Sequence, residues 1–169
     1  KTIGGIRPWT LSLMEEPADI IDTLCLLLMV KLPEAGYGYS DIQILTPQNK
    51  GPLGTMAINR YIQCVRHSLD STSTSIHTVY AGDRVMQCRN NYDREIFNGT
   101  TGIVETTDYN GLSIRWDGKE GVEYYKSGDA DLADVQLAYA TTVHKAQGSE
   151  YPIVIVIVNK VDRPQADPQ

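Results

Sequence analysis

Residues 137–158 read LAYATTVHKAQGSEYPIVIVIV, and their pattern decides the fold. A polar cluster of Thr142, His144, Lys145, Gln147, Gly148, Ser149 and Glu150 stands between an apolar run and the β-branched run Ile153–Val158. That second run has no polar alternation, so both of its faces are expected to be covered. A central strand of a parallel sheet flanked by helices has this character. The polar cluster then lies in the connection feeding the strand. Open α/β sheets bind ligands in the crevice beyond the carboxyl ends of their strands, which makes this connection the first candidate site. A plainer reading has Thr142, Lys145 and Glu150 as a solvated turn and His144 as a core histidine.

Working outward from this stretch, a weak strand signal covers Trp9–Met14. Glu15, Glu16 and Pro17 supply the acidic residues and N1 proline that open a helix. Ile20, Ile21, Leu24, Leu27 and Leu28 recur at helical spacing up to Pro33, which is expected to stop it. Cys25, Leu26, Met29 and Val30 widen the apolar stripe, so this helix is expected to pack on more than one side. DIQILT (41–46) reads as a short strand. The loop PQNKGPLGT follows, and then an amphipathic helix marked by Ile58, Tyr61, Ile62, Val65 and Leu69. A strand, a glycine-containing loop and a helix in succession can aim backbone N–H groups at an anion.

Beyond the Ser/Thr-rich loop 68–76 the period changes to two. GDRVMQ (82–87), TGIVETT (101–107), LSIRW (112–116) and VEYY (122–125) read as short strands separated by Asn-Gly and Asp-Gly turns. They predict a small antiparallel β-barrel at 77–133, inserted into an α/β domain made of 1–76 and 134–169. Between His77 and Ala133 six basic side chains face ten acidic ones, a net charge of -4. No basic stripe is present. Arg89, Asn90, Asn91, Tyr92 and Arg94 nonetheless place cations and a ring on one loop, a surface that can touch a single strand, with Arg89 and Tyr92 as the candidate contacts. A solvated hairpin tip is the plainer alternative.

The whole chain of 169 residues carries a formal net charge of -6 and is 41% hydrophobic, which suits a globular core and excludes global disorder. Strong autonomous binding to nucleic acid draws on Lys and Arg, so an acidic chain is a poor candidate for it. Cys25, Cys64 and Cys88 are odd in number and widely spaced, and are expected to be buried reduced thiols of a cytoplasmic protein. His67, His77 and His144 have no ligand-like spacing, and no metal site is expected. No apolar run approaches the ~20 residues of a membrane span. The first residue is Lys1, and the chain is read as a fragment.

The segment Thr142–Tyr151 resembles motif V of superfamily 1 helicases, and HKAQGSE within it resembles the RecD-like branch. ILTPQNKGPLGTMAINRYIQ is similar to motif IV of that branch, matching at Pro47, Gly51, Gly54, Thr55, Asn59 and Gln63. GDRVMQCRNNYDREIFNGTTGIV resembles its SH3-like insertion, and the three blocks occur in the family's order. The resemblance covers roughly residues 15–158. It implies the second RecA-like domain of an ATP-dependent DNA helicase moving 5′ to 3′, interrupted by an SH3-like barrel.

It also implies roles. Thr142, His144 and Lys145 would lie on the single-stranded DNA track, while Lys50, Gly51, Gln147, Gly148 and Glu150 would lie in the nucleotide cleft. Lys50 would be the cation beside phosphate and Glu150 the carboxylate near the ribose. ATP and Mg²⁺ would be cofactors of a longer parent. Its partners would be single-stranded DNA, the N-terminal RecA-like domain and other recombination-repair subunits.

The chain departs from the pattern in lacking G-x-x-x-x-G-K-[ST], an acidic Walker B pair and the arginine motif expected after Val158. No catalytic set is complete within it. Alone it is expected to hold no cofactor and to hydrolyse no ATP. Two other readings stay open at this point, a non-catalytic interaction module retaining the helicase fold and a Pif1-like or relaxase-associated helicase domain.

Overall fold

The computed structural model describes Met14, residues 16–68 and residues 79–158. The strand expected at Trp9–Met14 lies outside these except for Met14, as do most of the Ser/Thr-rich loop and the residues after Val158. Two compact units form, one from residues 1–58 with 140–169 and the other from 59–139.

In the first unit, α1 (Pro17–Leu26) begins at the expected proline and runs into a π-helical turn, Leu27–Lys31, and then α2 (Leu32–Glu34). Pro33 therefore does not stop the helix at its own position. The wider π turn directly before it is the kind of local adjustment that accommodates a residue lacking an N–H. Leu24, Leu28 and Leu32 are buried at intervals of four, whereas Leu26 and Val30 are exposed. The helix thus buries one stripe rather than the several sides that its composition suggested.

Strand β1 (Ile42–Thr46) is followed by α3 (Thr55–Ser68), whose first turn belongs to this unit. β7 (Ala140–Thr142) and β8 (Ile153–Val156) both pair with β1 in parallel, in the order β7-β1-β8. DIQILT and the β-branched run therefore share one parallel sheet. The central strand, however, is β1, with Ile42, Gln43, Ile44 and Thr46 all buried. Among the described residues β8 is an edge of this sheet, and its burial alternates. Ile157 just beyond it is 5% exposed, while Val154, Val156 and Val158 are 49%, 58% and 73% exposed. The expectation that both faces of Ile153–Val158 are covered is corrected accordingly. An unbroken apolar run cannot by itself distinguish a central strand from an edge strand with an apolar outer face.

In the second unit, β2 (Arg84–Gln87), β3 (Thr101–Asp108), β4 (Gly111–Trp116), β5 (Glu123–Lys126) and β6 (Val135–Leu137) form an antiparallel sheet ordered β5-β4-β3-β2-β6. The four expected strand segments all appear. The barrel is not closed among the described residues, where β5 and β6 are the two sheet edges and no ladder joins them. A 3₁₀ turn, Ala130–Asp134, connects these edges in sequence. The core consists of Val79, Val85, Ile96, Val104, Leu112, Ile114, Trp116, Tyr125 and Val135, with Leu132 and Leu137 packed against it. Trp116 Nε1 donates to the Tyr125 hydroxyl at 3.1 Å, which satisfies the one polar atom of the largest buried ring.

The three cysteines form no disulfide. Cys64 is exposed and the other two are half-buried, so the expected burial of these thiols is not found. No group of three or more His, Cys, Asp or Glu side chains able to hold a metal occurs among the described residues. No helix among them is long and apolar enough to cross a membrane.

Candidate functional site

The candidate site of the first unit is built on the carboxyl ends of two neighbouring parallel strands. Thr46 at the end of β1 is in register with Thr142 at the end of β7. The loop 47–54 and the polar cluster beginning at Val143 therefore leave the sheet at the same edge, which is where open α/β sheets hold ligands. Lys50, Gly51, Thr142, His144 and Lys145 share this placement.

The polar cluster opens as a single tight turn, with Lys145 N and Ala146 N donating to Thr142 O at 3.0 and 3.2 Å and Ser149 N to Ala146 O at 3.2 Å. Ile153 is then in register with Ile42, at the amino end of β1. Residues 143–152 thus return from one edge of the sheet to the other without a helix. That is a shorter crossover than the dozen or so residues that parallel strands usually need. Gln147, Gly148 and Glu150 lie on this returning limb. Strand order therefore groups Lys50 and Gly51 with the residues expected to touch DNA, and leaves the other three expected nucleotide contacts further along the chain. His144, Lys145, Gln147, Gly148 and Glu150 are exposed and Thr142 is half-buried, so the alternative of a core histidine at 144 is removed.

Two glycines of the site have different reasons to be glycine. Gly148 has φ 86°, and a Cβ there would meet nothing within 4 Å. Its backbone conformation accounts for the residue without a close neighbour. Gly54 is fixed by contact instead, since a Cβ would come within 2.5 Å of Lys50 O and 2.7 Å of Asn49 O.

The loop 47–54 closes on itself. Thr55 N donates to Gln48 O at 3.0 Å, Met56 N to Asn49 O at 3.3 Å and Gly54 N to Gly51 O at 3.1 Å. Thr46 Oγ1 donates to Leu53 O, and Thr55 Oγ1 to Asn49 Oδ1. The N–H groups that would have cradled an anion at the start of α3 are occupied by the loop's own carbonyls. The N–H groups of Gly54, Thr55 and Met56 are therefore not free for an anion, which the exposed Lys50 can meet.

Asn59 and Gln63, matched within the same motif, hold structure in the second unit. Asn59 Nδ2 donates to Leu137 O at 3.0 Å, and Gln63 Nε2 donates to Asp83 Oδ2 at 2.6 Å. Asp83 is fully buried and also accepts from His67 Nε2 at 2.8 Å, Tyr139 OH at 2.7 Å and Tyr80 N at 2.8 Å. Arg66 Nη1 bonds both Gly82 O and the Tyr139 hydroxyl, while His67 stacks on Tyr80 with centroids 4.4 Å apart. Burial, then the neighbouring Asp83 carboxylate, pushes the Tyr139 phenol well above its ordinary range. Sequence reading missed this network. The one available signal was the apolar environment of Asp83 beside Val85, which a charged residue enters only when paired.

Arg89 and Tyr92 lie on the second unit, on the loop between β2 and β3, and both are exposed. Arg94, read as the second cation on this surface, is turned away from that use. It bonds Asp131 (2.9 Å), Asp129 (3.0 Å), Glu123 (3.2 Å) and Tyr124 O (3.1 Å), and its guanidinium carbon sits 4.2 Å from the centre of the Tyr125 ring.

The model of the UvrD-like helicase C-terminal domain family matches residues 137–167, which include the whole polar cluster. Among curated proteins, the ATP-dependent RecD2 DNA helicase of Deinococcus radiodurans is 35% identical over 128 residues, covering 75% of this chain and 17% of that protein. The RecBCD enzyme subunit RecD of Mycobacterium tuberculosis is 29% identical over 158 residues, covering 88% of this chain and 27% of that protein. The chain thus spans little more than a quarter of these relatives at most. Among solved structures, a Pif1 helicase from Bacteroides in complex with ADP-AlF3 and single-stranded DNA matches with a TM-score of 0.48 and 17% identity, covering 85% of this chain and 40% of that one.

Proposed function

Because the chain belongs to the RecD-like branch of the superfamily 1 DNA helicases, we propose that it is a C-terminal motor segment supplying part of an ATP cleft and part of a single-stranded DNA track. The observation that carries this reading is the register Thr46↔Thr142, which sends the loop 47–54 and the polar cluster out from the same sheet edge. Thr142 and His144 are suited to donate to phosphate oxygens of the strand, with Lys145 beside them. Lys50 supplies positive charge from the adjacent loop, with Gly51 next to it. Gln147, Gly148 and Glu150 follow on the limb leading to β8, where Glu150 can accept from a ribose hydroxyl.

The residues present fit a nucleotide only in part. Lys50 and Glu150 offer side chains of the right kinds, but no phosphate-cradling loop exists here and the described residues hold no metal donor set. ATP and Mg²⁺ would be held chiefly by an N-terminal RecA-like partner domain, and hydrolysis would belong to the two domains together. On this reading β2 to β5 belong to an SH3-like insertion at about 77–133, in a RecA-like domain made of 1–76 and 134–169 that contributes β6 to the same antiparallel sheet. Recombination-repair subunits would be further partners.

The test is His144→Ala in the ATP-hydrolysing protein that carries this segment. Loss of a hydrogen bond to a charged group is worth ~1.5–3 kcal/mol, so single-strand affinity should fall roughly tenfold to a hundredfold. DNA-stimulated hydrolysis should fall with it while basal hydrolysis is largely kept. Wild-type affinity across a salt series in a folded variant would remove His144 from the track.

A further inference from the structure

Tyr92 and Phe97 are 74% and 52% exposed, yet they are held as an ordered pair. Their centroids lie 6.3 Å apart with planes at 77°, so the edge of one ring meets the face of the other. Asn90 Nδ2 donates to the Tyr92 hydroxyl at 3.1 Å, and Asn90 Oδ1 accepts from Asn98 N at 2.8 Å. Between them Asn91 and Ile96 exchange backbone hydrogen bonds of 2.7 and 2.9 Å, with the Ile96 side chain buried in the core. Arg94 ties the tip to Asp129, Asp131 and Glu123, and Lys119 Nζ donates to Arg94 O. Glu95, at φ 54°, is the one non-glycine residue with positive φ among the described residues.

Such a tip keeps two rings in solvent at a fixed angle and loses little conformational freedom when something lands on them. Resting on the helicase reading above, we propose that Tyr92 and Phe97 form a stacking platform for unpaired nucleobases, with Arg89 beside it. The side chain of Arg89 is 80% exposed, with its Nε 3.6 Å from Asp134 Oδ1. The surroundings favour a base over a protein surface. Two rings flanked by Asn90, Asn91, Asp93, Glu95 and Asn98 are too small and too polar in setting for a stable protein interface. They do match a flat π-system with polar edges. With Arg94 held by carboxylates and the surrounding segment acidic, phosphate attraction contributes little. The contact should therefore depend on the base and only weakly on salt.

The test is photocrosslinking of this chain to oligo-dT carrying 5-iodouracil, with attachment sites mapped by mass spectrometry and an abasic oligonucleotide of equal length as competitor. Crosslinks are expected at Tyr92 or Phe97. Tyr92→Ser or Phe97→Ser should weaken binding roughly fivefold to a hundredfold. Both positions are exposed, and Trp116 fluorescence reports whether each variant is folded. Crosslinks confined to residues 142–150 and unchanged by Tyr92→Ser and Phe97→Ser would overturn the platform while leaving the helicase reading standing. An abasic competitor as effective as oligo-dT would overturn stacking, and no crosslink at any residue would overturn the platform, the helicase reading being tested separately by His144→Ala.

Discussion

Arg94→Ala is the most searching perturbation of the second unit, because one side chain there links three separate pieces of chain. The guanidinium reaches Asp129 and Asp131 around the 3₁₀ turn, Glu123 and Tyr124 O on β5, and the face of Tyr125. Two of these pieces are β5 and the turn leading into β6, the two edge strands of this sheet, which no ladder joins among the described residues. The Arg94 side chain is 22% exposed and its three carboxylate partners are 26%, 23% and 39% exposed, so each pair is screened by solvent. At exposed-pair values of ~0.2–1 kcal/mol each, the three contribute about 1–2 kcal/mol. The contact with Tyr125 adds about 0.5–1 kcal/mol. Arg94→Ala should therefore cost about 1.5–3 kcal/mol. The assay is urea unfolding followed by the fluorescence of Trp116, buried within this unit. A loss below about 0.5 kcal/mol would show that the seam is held by the apolar core alone.

The same cluster sets an acid dependence whose sign follows from its carboxylates. Lys119, bonded to Glu123, holds that carboxyl below its ordinary value of 4.5 against the opposing effect of burial, with Arg94 assisting. Arg94 does the same for Asp131, whose ordinary value is 3.8. Burial works to lower the Arg94 pKa, but the Asp131 hydrogen bond and the surrounding acidic groups outweigh it and the net shift is upward. A carboxyl whose folded pKa is depressed stabilises the fold above its unfolded value and loses that contribution as pH falls through the folded one. Wild-type stability should therefore decline from about pH 4.5 downward. In Arg94→Ala the decline should be shallower, because Asp131 then titrates near its unfolded value.

Two other substitutions probe features that the sequence treated differently. Asp83→Asn puts an amide where Asp83 now only accepts, facing at least one of Gln63 Nε2, Tyr80 N, His67 Nε2 and the Tyr139 hydroxyl. A loss of about 3 kcal/mol is expected in the same urea assay, and a loss under about 1 kcal/mol would show that the network repacks. On the proposed reading of an ATP cleft, Glu150→Ala in the longer protein carrying this segment should raise the apparent KM for ATP with kcat little changed, as when a ground-state contact is removed. An unchanged KM would place Glu150 outside the cleft.

What could be read from the sequence followed from local pattern. The strands of both sheets, the proline opening α1 and the amphipathic run of α3 are set by periodicity and by residues that act within one turn. The exposed polar cluster was legible because charged residues packed between apolar runs have no structural use there. What failed depended on partners distant in sequence. Ile153–Val158 reads as fully covered, but strand order placed it at an edge. Arg94 reads as a free cation until Asp129 and Asp131, 35 and 37 positions later, are brought beside it. Gln63 reads as a matching position of motif IV, yet its amide is directed to Asp83 twenty positions on. Side-chain destinations of this kind are fixed by tertiary packing, and no local propensity encodes them.

The register of the first sheet bears directly on how the two proposed ligands would communicate. Thr142 is paired to the carboxyl end of β1 and Ile153 to its amino end, so one central strand fixes both limits of segment 143–152. The turn after Thr142 is closed by two hydrogen bonds to a single carbonyl, and Gly148 bends the returning limb in a conformation that few other residues adopt. A segment clamped at both ends, and short for its span, has few ways to yield at His144 without moving at Glu150. Coupling between a strand held at the first and a nucleotide held at the second then needs no longer pathway than these residues. Gly148→Ala offers the decisive comparison. By straining the bend while removing no side chain, it should reduce DNA stimulation of hydrolysis more than either affinity alone. Equal losses in all three would mean that the segment serves two sites without linking them.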